Sequence, residues 1–485
     1  MRYLMLFVIL FPMLAGLCVW HKKLSCSLKC LHRFVLCAAV INSLALWLLV
    51  FGPQAADLPL FRFTETLQFT LAIDGLSRVF IMIISVLWPL TALYAFDYMA
   101  HEGSEPRFYM FFLISYGVSA GIALAGNLVT LYMFFELLTL ATLPLVMHKM
   151  DDKARFAGKR YLMYSMIGAS LGFIAIVFVQ SYGKSGDFEL GGVMAQGLNP
   201  DLLRKLRIAF TLAFFGFGVK AALMPMSFWL PAASVAPTPV TALLHAAAVV
   251  KAGAFACIRL TYYSFGTHIL AGSFAQYIPM AAAIFTIGYG SVMALRNTHL
   301  KRRLAWSTVS NLSYILFAVT LMTGLSLKAA CLHMLAHAII KSTLFFGVGS
   351  VLVCAEKEYL DEIGGLSRKM PVTFACFTLA SVALMGVPPM PGFFSKWAIG
   401  AAAAPGGWLE IVGIGALMLS AFLTALYLMT IVCQAYRSEG GKLPRKASSI
   451  ELPRMKAVMV VLCVIIVAMG LFNRPLQHLL DLWLF

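Results

Sequence analysis

The chain holds 485 residues, 61% of them hydrophobic and 12% charged, with a formal net charge of +17 at pH 7. So few charges cannot cover a water-exposed surface, which excludes a soluble globular protein. The basic excess would suit a nucleic-acid partner, but its placement along the chain gives it another role.

About fourteen apolar runs are long enough to cross ~30 Å of hydrocarbon at ~20 residues each. They lie near 4–20, 33–51, 78–97, 108–126, 128–147, 160–180, 208–227, 240–262, 275–295, 304–323, 329–353, 371–400, 408–434 and 456–473. Backbone polar groups cannot stay unpaired in lipid, so the runs are predicted to be helices; a membrane barrel would instead show alternating strands of about ten residues. The first run follows Arg2 in the manner of a signal peptide. It is read as a retained span, because its loss would upset the count. No polar stretch is long enough for a separate soluble domain.

With the N-terminus outside and the runs alternating, the inner loops hold 23 of the 37 Lys and Arg, against 9 in the outer loops and termini. The inner set includes Lys22, Lys23, Lys149, Arg155, Lys159, Arg160, Lys301, Arg302, Arg303, Arg445 and Lys446. This is the positive-inside bias, so the basic charge sets orientation and no nucleic acid is expected. Loop 181–207 runs against the bias with Arg204, Lys205 and Arg207. Fourteen spans place both termini outside. The ten cysteines are scattered through apolar segments, and only Cys26 and Cys30 are close. A C-x-x-x-C pair without further ligands is a weak metal signal, so the cysteines read as small hydrophobes.

Spans four to eight and nine to thirteen form two groups of five. Five is odd, so a second copy enters the membrane upside down, as in inverted-repeat transporters. The seventh and twelfth spans correspond in this scheme, and both are interrupted. The seventh carries Lys220, Pro225, Trp229-Leu230-Pro231 and Pro237-Thr238-Pro239; the twelfth carries Pro388, Pro389 and Pro391, then Lys396. Proline removes a backbone donor and frees carbonyls of the preceding turn, which membrane depth permits only inside protein or beside water.

Charges lie deep in the runs: Glu136 in the fifth, Lys220 in the seventh, Lys251 in the eighth, Lys341 in the eleventh and Lys396 in the twelfth. Arg259, near a span end, is expected to snorkel. A charge at the bilayer centre costs roughly 2.5–3.5 kcal/mol on insertion scales, so a chain that repeats it has a use for it. Glu136 and Lys220 are the natural ion pair; the bland alternative is a structural salt bridge. A desolvated lysine tends to shed its proton and a nearby carboxylate restores it, which is the elementary step of a proton pump. His333, His337 and Lys341 are spaced i, i+4, i+8 and share one helix face. They could ligate haem or metal, relay protons between Lys251 and Lys396, or serve as polar packing groups. No Cys, Asp or Glu nearby completes a metal site. His245 lies about 240° around the helix from Lys251, so the two face different neighbours. The tenth span offers no acid, only Ser307 and Asn311. No iron–sulfur cysteine cluster, P-loop or dinucleotide fingerprint is present, so the chain itself is expected to hold no cofactor and no metal.

These residues occur in a recognisable order. Phe135-Glu136-Leu137, Val219-Lys220-Ala221-Ala222-Leu223-Met224-Pro225, Trp229-Leu230-Pro231, the run from Ala236 to His245, and Val250-Lys251-Ala252-Gly253 lie in the first half. Ala305-Trp306-Ser307-Thr308, His337-Ala338-Ile339-Ile340-Lys341 and the run from Gly386 to Phe393 lie in the second. Together they resemble the antiporter-like subunits of the complex I superfamily, which takes in respiratory complex I, energy-converting membrane-bound hydrogenases and multisubunit Mrp sodium/proton antiporters. The resemblance covers most of residues 60–435. It implies that Glu136 and Lys220 are the family's glutamate–lysine pair, Lys251 its central lysine and Lys396 its twelfth-helix ionisable group. Lysine at 396, and an end at Phe485 without a long lateral helix, suit an Mrp D-type protein or its hydrogenase relative.

The sequence thus predicts an all-α polytopic membrane protein with broken helices 7 and 12. Three N-terminal helices (1–107) precede a first repeat (108–262), a second repeat (275–436) and a C-terminal helix (456–485). The resemblance implies a proton-translocating subunit of a complex that couples redox chemistry to pumping, with a component of a non-redox Mrp antiporter as the alternative. A solute permease is a weaker fit, because the lysines sit on several spans. Iron–sulfur clusters, nickel–iron or flavin centres are expected only in partners. Those partners are other membrane subunits, antiporter-like ones among them, and peripheral redox subunits, with lipid, H+ and alternatively Na+. The expected location is a prokaryotic cytoplasmic membrane.

Overall fold

Each of the fourteen runs falls on a helix in the computed structural model, which describes residues 1–21, 27–53, 56–62, 64, 67–437 and 450–485. Lys22, Lys23, Cys26, Arg445 and Lys446 lie outside the described residues. In chain order the helices are α1 (Arg2–Val19), α2 (Leu28–Phe51), α3 (Gly75–Glu102), α4 (Glu105–Ala123), α5 (Leu128–Val146), α6 (Asp152–Tyr182) and α7 (Pro200–Gly218). There follow α8 (Thr238–Phe265), α9 (Phe274–Arg296), α10 (Leu300–Thr320), α11 (Gly324–Ala355), α12 (Pro371–Met385), α13 (Pro391–Ala403), α14 (Trp408–Tyr436), α15 (Pro453–Leu471) and α16 (Asn473–Leu484).

Among the described residues ten of these are long and apolar enough to cross a membrane. Helices α7 and α10 begin on charged turns, with Asp201, Arg204, Lys205 and Arg207 in one and Lys301, Arg302 and Arg303 in the other. The expected twelfth span is two pieces, α12 and α13. This is a multi-pass membrane protein.

The all-helical expectation misses one small element. Strands β1 (Leu58–Arg62) and β2 (Gln68–Leu71) pair antiparallel between α2 and α3, with Phe61 opposite Phe69. The segment is too short to span, and pairing of the two strands satisfies its backbone.

Burial sorts the helices. Every residue of α8 from Thr238 to Phe265 is buried, as are nearly all of α10 and most of α11. Large apolar side chains stay exposed on α2, α6 and α14, as lipid-facing helices require. At the centre, close backbone approach replaces hydrophobic drive. A Cβ on Gly253 of α8 would collide with the Ala221 nitrogen, so glycine lets α8 cross directly behind the break that follows α7. Gly392 does the same at the other break, where a Cβ would run into the Ala383 carbonyl oxygen. Two wide π turns, Leu243–Ala247 and Arg259–Phe265, flank the regular stretch of α8 that carries Lys251. Such turns loosen the helical ladder and recur at functional positions.

Candidate functional site

The site starts at the first break. Asn127 caps α5 by accepting from the Thr130 amide, and the helix carries Glu136 to mid-length. Its carboxylate oxygen Oε1 lies 3.5 Å from Lys220 Nζ, at the end of α7. The lysine is buried while the glutamate keeps 28% of its side-chain exposure. Lys220 also donates to the Phe135 carbonyl, with its ammonium over the Phe135 ring.

The second group lies on α8, α10, α11 and the α12–α13 break. Lys251 Nζ is 2.6 Å from His337 Nδ1. The His337 and His333 rings are 5.9 Å apart between centres, and His333 Nδ1 pairs with Ser395 Oγ at 2.9 Å. Lys396, one residue on, donates to the carbonyls of Leu384 at 2.6 Å and Met385 at 3.0 Å. Those carbonyls end α12 and have no helical partner, so the break supplies the lysine's acceptors at the negative end of a helix dipole. Lys341 turns to α10, donating to Ser307 Oγ and to the Leu304 carbonyl at 3.0 Å. Thus Lys251, His337, His333 and the Ser395–Lys396 turn come together, and Lys341 prolongs the row along α11 with its ammonium on α10. Asn311 lies behind Ser307, giving its amide to the Ser307 carbonyl at 2.8 Å. His245 faces the Phe345 ring at 4.8 Å, away from Lys251.

Several buried atoms here lack a protein partner: both His245 nitrogens, Nε2 of His333 and His337, and Oδ1 of Asn311. Buried polar atoms seldom stay unpaired, and bridging water is their usual partner in a polar site. Among the described residues no group of three or more His, Cys, Asp or Glu is placed to hold a metal ion.

Two sets of cations correct the sequence reading. Arg259 does not snorkel. It is buried, donates to both carboxylate oxygens of Asp74 and to Ser77 Oγ at 3.0 Å, and stacks among Phe188, Phe255 and Tyr263. Its guanidinium is held by Asp74, which caps the start of α3, and by the surrounding aromatic rings, inside the protein. Lys301 and Arg303, placed by sequence in a solvated inner loop, are also buried. Lys301 donates to the Ala236 carbonyl at 2.9 Å, in the turn after the first break.

The family model described as "NADH:quinone oxidoreductase/Mrp antiporter, TM" matches residues 125–424, which contain every one of these groups except Asp74 and Ser77. The chain belongs to this family. The model for the N-terminus of complex I chain 5 matches residues 63–109. A probable K(+)/H(+) antiporter component of Rhizobium meliloti is 35% identical over 336 residues, 68% of this chain and 32% of that protein. The chain therefore spans about a third of that relative's length. NADH-quinone oxidoreductase subunit N of Desulforudis audaxviator is 30% identical over 426 residues, 84% of this chain and 82% of that one. In the solved Mrp complex of Dietzia sp. DQ12-45-1b, one chain superposes with a TM-score of 0.85 at 20% identity, covering 99% of this chain and 96% of that chain. At that identity the likeness is one of fold.

Proposed function

We propose that this chain is the proton-translocating, antiporter-like subunit of a multisubunit membrane complex that couples redox chemistry to pumping. Glu136 modulates the proton on Lys220. Lys251 and the His337–His333 pair carry protons between the two halves, and Lys396 exchanges them at the second break. The observation that carries this reading is the Lys251–His337 contact of 2.6 Å at the middle of a wholly buried helix. A fixed ion pair would place an acid there; an imidazole, with two ring nitrogens, can instead take up a proton at one and give it up at the other. The unpaired nitrogens mark where waters extend the route.

In this reading the two five-helix groups are inverted repeats. The basic loops face the inside of a prokaryotic cytoplasmic membrane and both termini face out. Iron–sulfur, nickel–iron or flavin centres reside in partner chains, beside further membrane subunits. A second reading, an Mrp-type antiporter without redox partners, draws on the K(+)/H(+) antiporter relative and on the fold of the Mrp chain. Subunits that co-purify distinguish the two, since only the first brings iron–sulfur proteins. In reconstituted vesicles Lys251→Ala is expected to abolish proton movement while electron transfer to artificial acceptors persists. Wild-type proton movement by this variant refutes the function.

A further inference from the structure

A second polar cluster adjoins the row without belonging to it. Ser291 of α9, Ser310 and Tyr314 of α10 and Ser420 of α14 meet at a fully buried point. Ser420 Oγ lies 2.6 Å from Ser291 Oγ, 2.9 Å from Ser310 Oγ and 2.6 Å from Tyr314 Oη. Ser291 and Ser310 are 2.8 Å apart, and the Ile287 carbonyl lies 3.0 Å and 2.9 Å from them.

Hydroxyls in membrane helices commonly fasten helices together, each spending its hydrogen on a carbonyl one turn back. Ser313 and Thr343 do this. The cluster is different. Six oxygen pairs of hydrogen-bond length share only four hydroxyl hydrogens, because Ile287 offers none. If the three serines donate in a ring, Ile287 receives nothing. If either serine turns to Ile287, one side of the ring loses its hydrogen. The arrangements interchange by rotation about single C–O bonds, which is what proton hopping along hydroxyls requires.

The cluster also has two ends. Tyr314 puts its hydroxyl on Ser420 and its ring against the row, 5.4 Å from the His333 ring and 5.5 Å from Lys396 Nζ. In the other direction Thr424, Tyr427 and Thr430 follow on α14; Thr424 Oγ1 donates to the Ser420 carbonyl at 2.7 Å, so a water is needed to join it to the Ser420 hydroxyl. Tyr427 Oη lies 3.0 Å from Thr424 Oγ1, and Arg303 Nη1 donates to Thr430 Oγ1 at 2.8 Å, at the basic end of α10.

We infer that Ser291, Ser310, Ser420 and Tyr314 form a second proton-conducting branch, which loads Lys396 from the Arg303 end of the bundle. The inference rests on the proton-translocating reading above. Tyr314 releases its hydroxyl hydrogen toward the neutral Lys396 amine through one water as it takes another from Ser420 Oγ. Ser420 is refilled from Ser291 or Ser310, the group in turn takes a proton through water from Thr424 and Tyr427, and solvent at the basic end of α10 supplies the proton that enters. Every hydroxyl gains a proton as it loses one, so only Lys396 ends with an added charge.

The test is Tyr314→Phe in the assembled complex, reconstituted in vesicles beside Lys251→Ala. Phenylalanine keeps the ring against His333 and Lys396 and removes only the hydroxyl. Proton movement is expected to fall roughly 100-fold, the lower end of what a positioned proton-transfer group contributes, with complex yield and melting temperature unchanged. Ser291→Ala is the second variant and decides the matter if Tyr314→Phe fails to assemble. The two together should lose no more than either alone, as members of one path do. Wild-type proton movement in Tyr314→Phe or in Ser291→Ala beside an inactive Lys251→Ala overturns the branch alone. Wild-type movement in all three overturns the proposed function as well.

Discussion

Glu136→Gln tests the first break most directly, because it removes a charge and keeps the side chain's shape. At the observed 3.5 Å the attraction between carboxylate and ammonium is roughly 5 kcal/mol at an effective dielectric of ~20. Glu136 keeps 28% exposure and is not wholly enclosed with Lys220, so the part that biases the proton on Lys220 is smaller, about 2–3 kcal/mol. If that bias gates proton uptake, its loss slows translocation roughly 30- to 150-fold. Gln retains an oxygen for Lys220, and Lys220 keeps the Phe135 carbonyl and ring, so assembly should hold. The assay is proton uptake into vesicles by a pH-sensitive dye, with partner electron transfer followed separately. Lys220→Met should be at least as slow, and Glu136→Gln/Lys220→Met no slower than Lys220→Met, because the carboxylate acts only through the lysine. A Glu136→Gln variant that pumps at the wild-type rate, or losses that simply add, would refute the modulating pair.

Asp74 and Arg259 make a stability prediction with a definite pH sign. Burial alone would raise the Asp74 carboxyl, but the Arg259 guanidinium and the bonds from Ser77 outweigh it and hold the group below its ordinary value. The pair's contribution is therefore complete above the ordinary carboxylate value of ~3.9 and is lost as pH falls through the lower folded value. Asp74→Asn should flatten the acid side of the unfolding profile. Arg259→Met should cost about 3 kcal/mol in melting experiments, the lower end for a broken buried pair because Asp74 keeps 36% exposure. Lys301→Met strips one of two donors from the Ala236 carbonyl, which keeps Thr241 Oγ1, and should cost about 0.5–1.5 kcal/mol, whereas Lys301→Gln, which keeps an N–H, should restore most of it; thermal unfolding of the purified complex distinguishes them.

The sequence made the helices and both breaks visible, because length and apolarity mark a span and Pro225, Pro388, Pro389 and Pro391 mark where it cannot continue. It also exposed Lys220, Lys251, Lys341 and Lys396, since a charge inside an apolar run stands out at once. It could not reveal Asp74 as the partner of Arg259, since nothing local links residues so far apart in the chain. Lys301 was hidden by its neighbours: a Lys-Arg-Arg run looks solvated whichever side chains turn inward. The serine cluster carries no sequence signal at all. Serine is common in membrane helices, and only the meeting of α9, α10 and α14 turns Ser291, Ser310 and Ser420 into a group with too few hydrogens. The direction of Lys341 was likewise a tertiary outcome, since helical spacing gives a shared face and Ser307 decides which neighbour the long side chain reaches.

Under the proposed function, the acceptors of these lysines would let buried charge move. Lys396 is held by the Leu384 and Met385 carbonyls, Lys341 by Leu304 and Ser307, and Lys251 by an imidazole. All are neutral. A carboxylate at any of these places would hold the proton through a strong ion pair, and the charge would be fixed there. A carbonyl at a helix break stabilises the ammonium by hydrogen bonds and the end of a helix dipole, a smaller and more local effect. Glu136 is the exception. It stands at the first break with part of its side chain exposed at the protein surface, where its charge can be altered from outside the buried row. The fold therefore separates one adjustable acid from a series of lysines on neutral acceptors, and the two proline breaks supply that separation by placing Lys220 beside the acid and Lys396 beside free carbonyls.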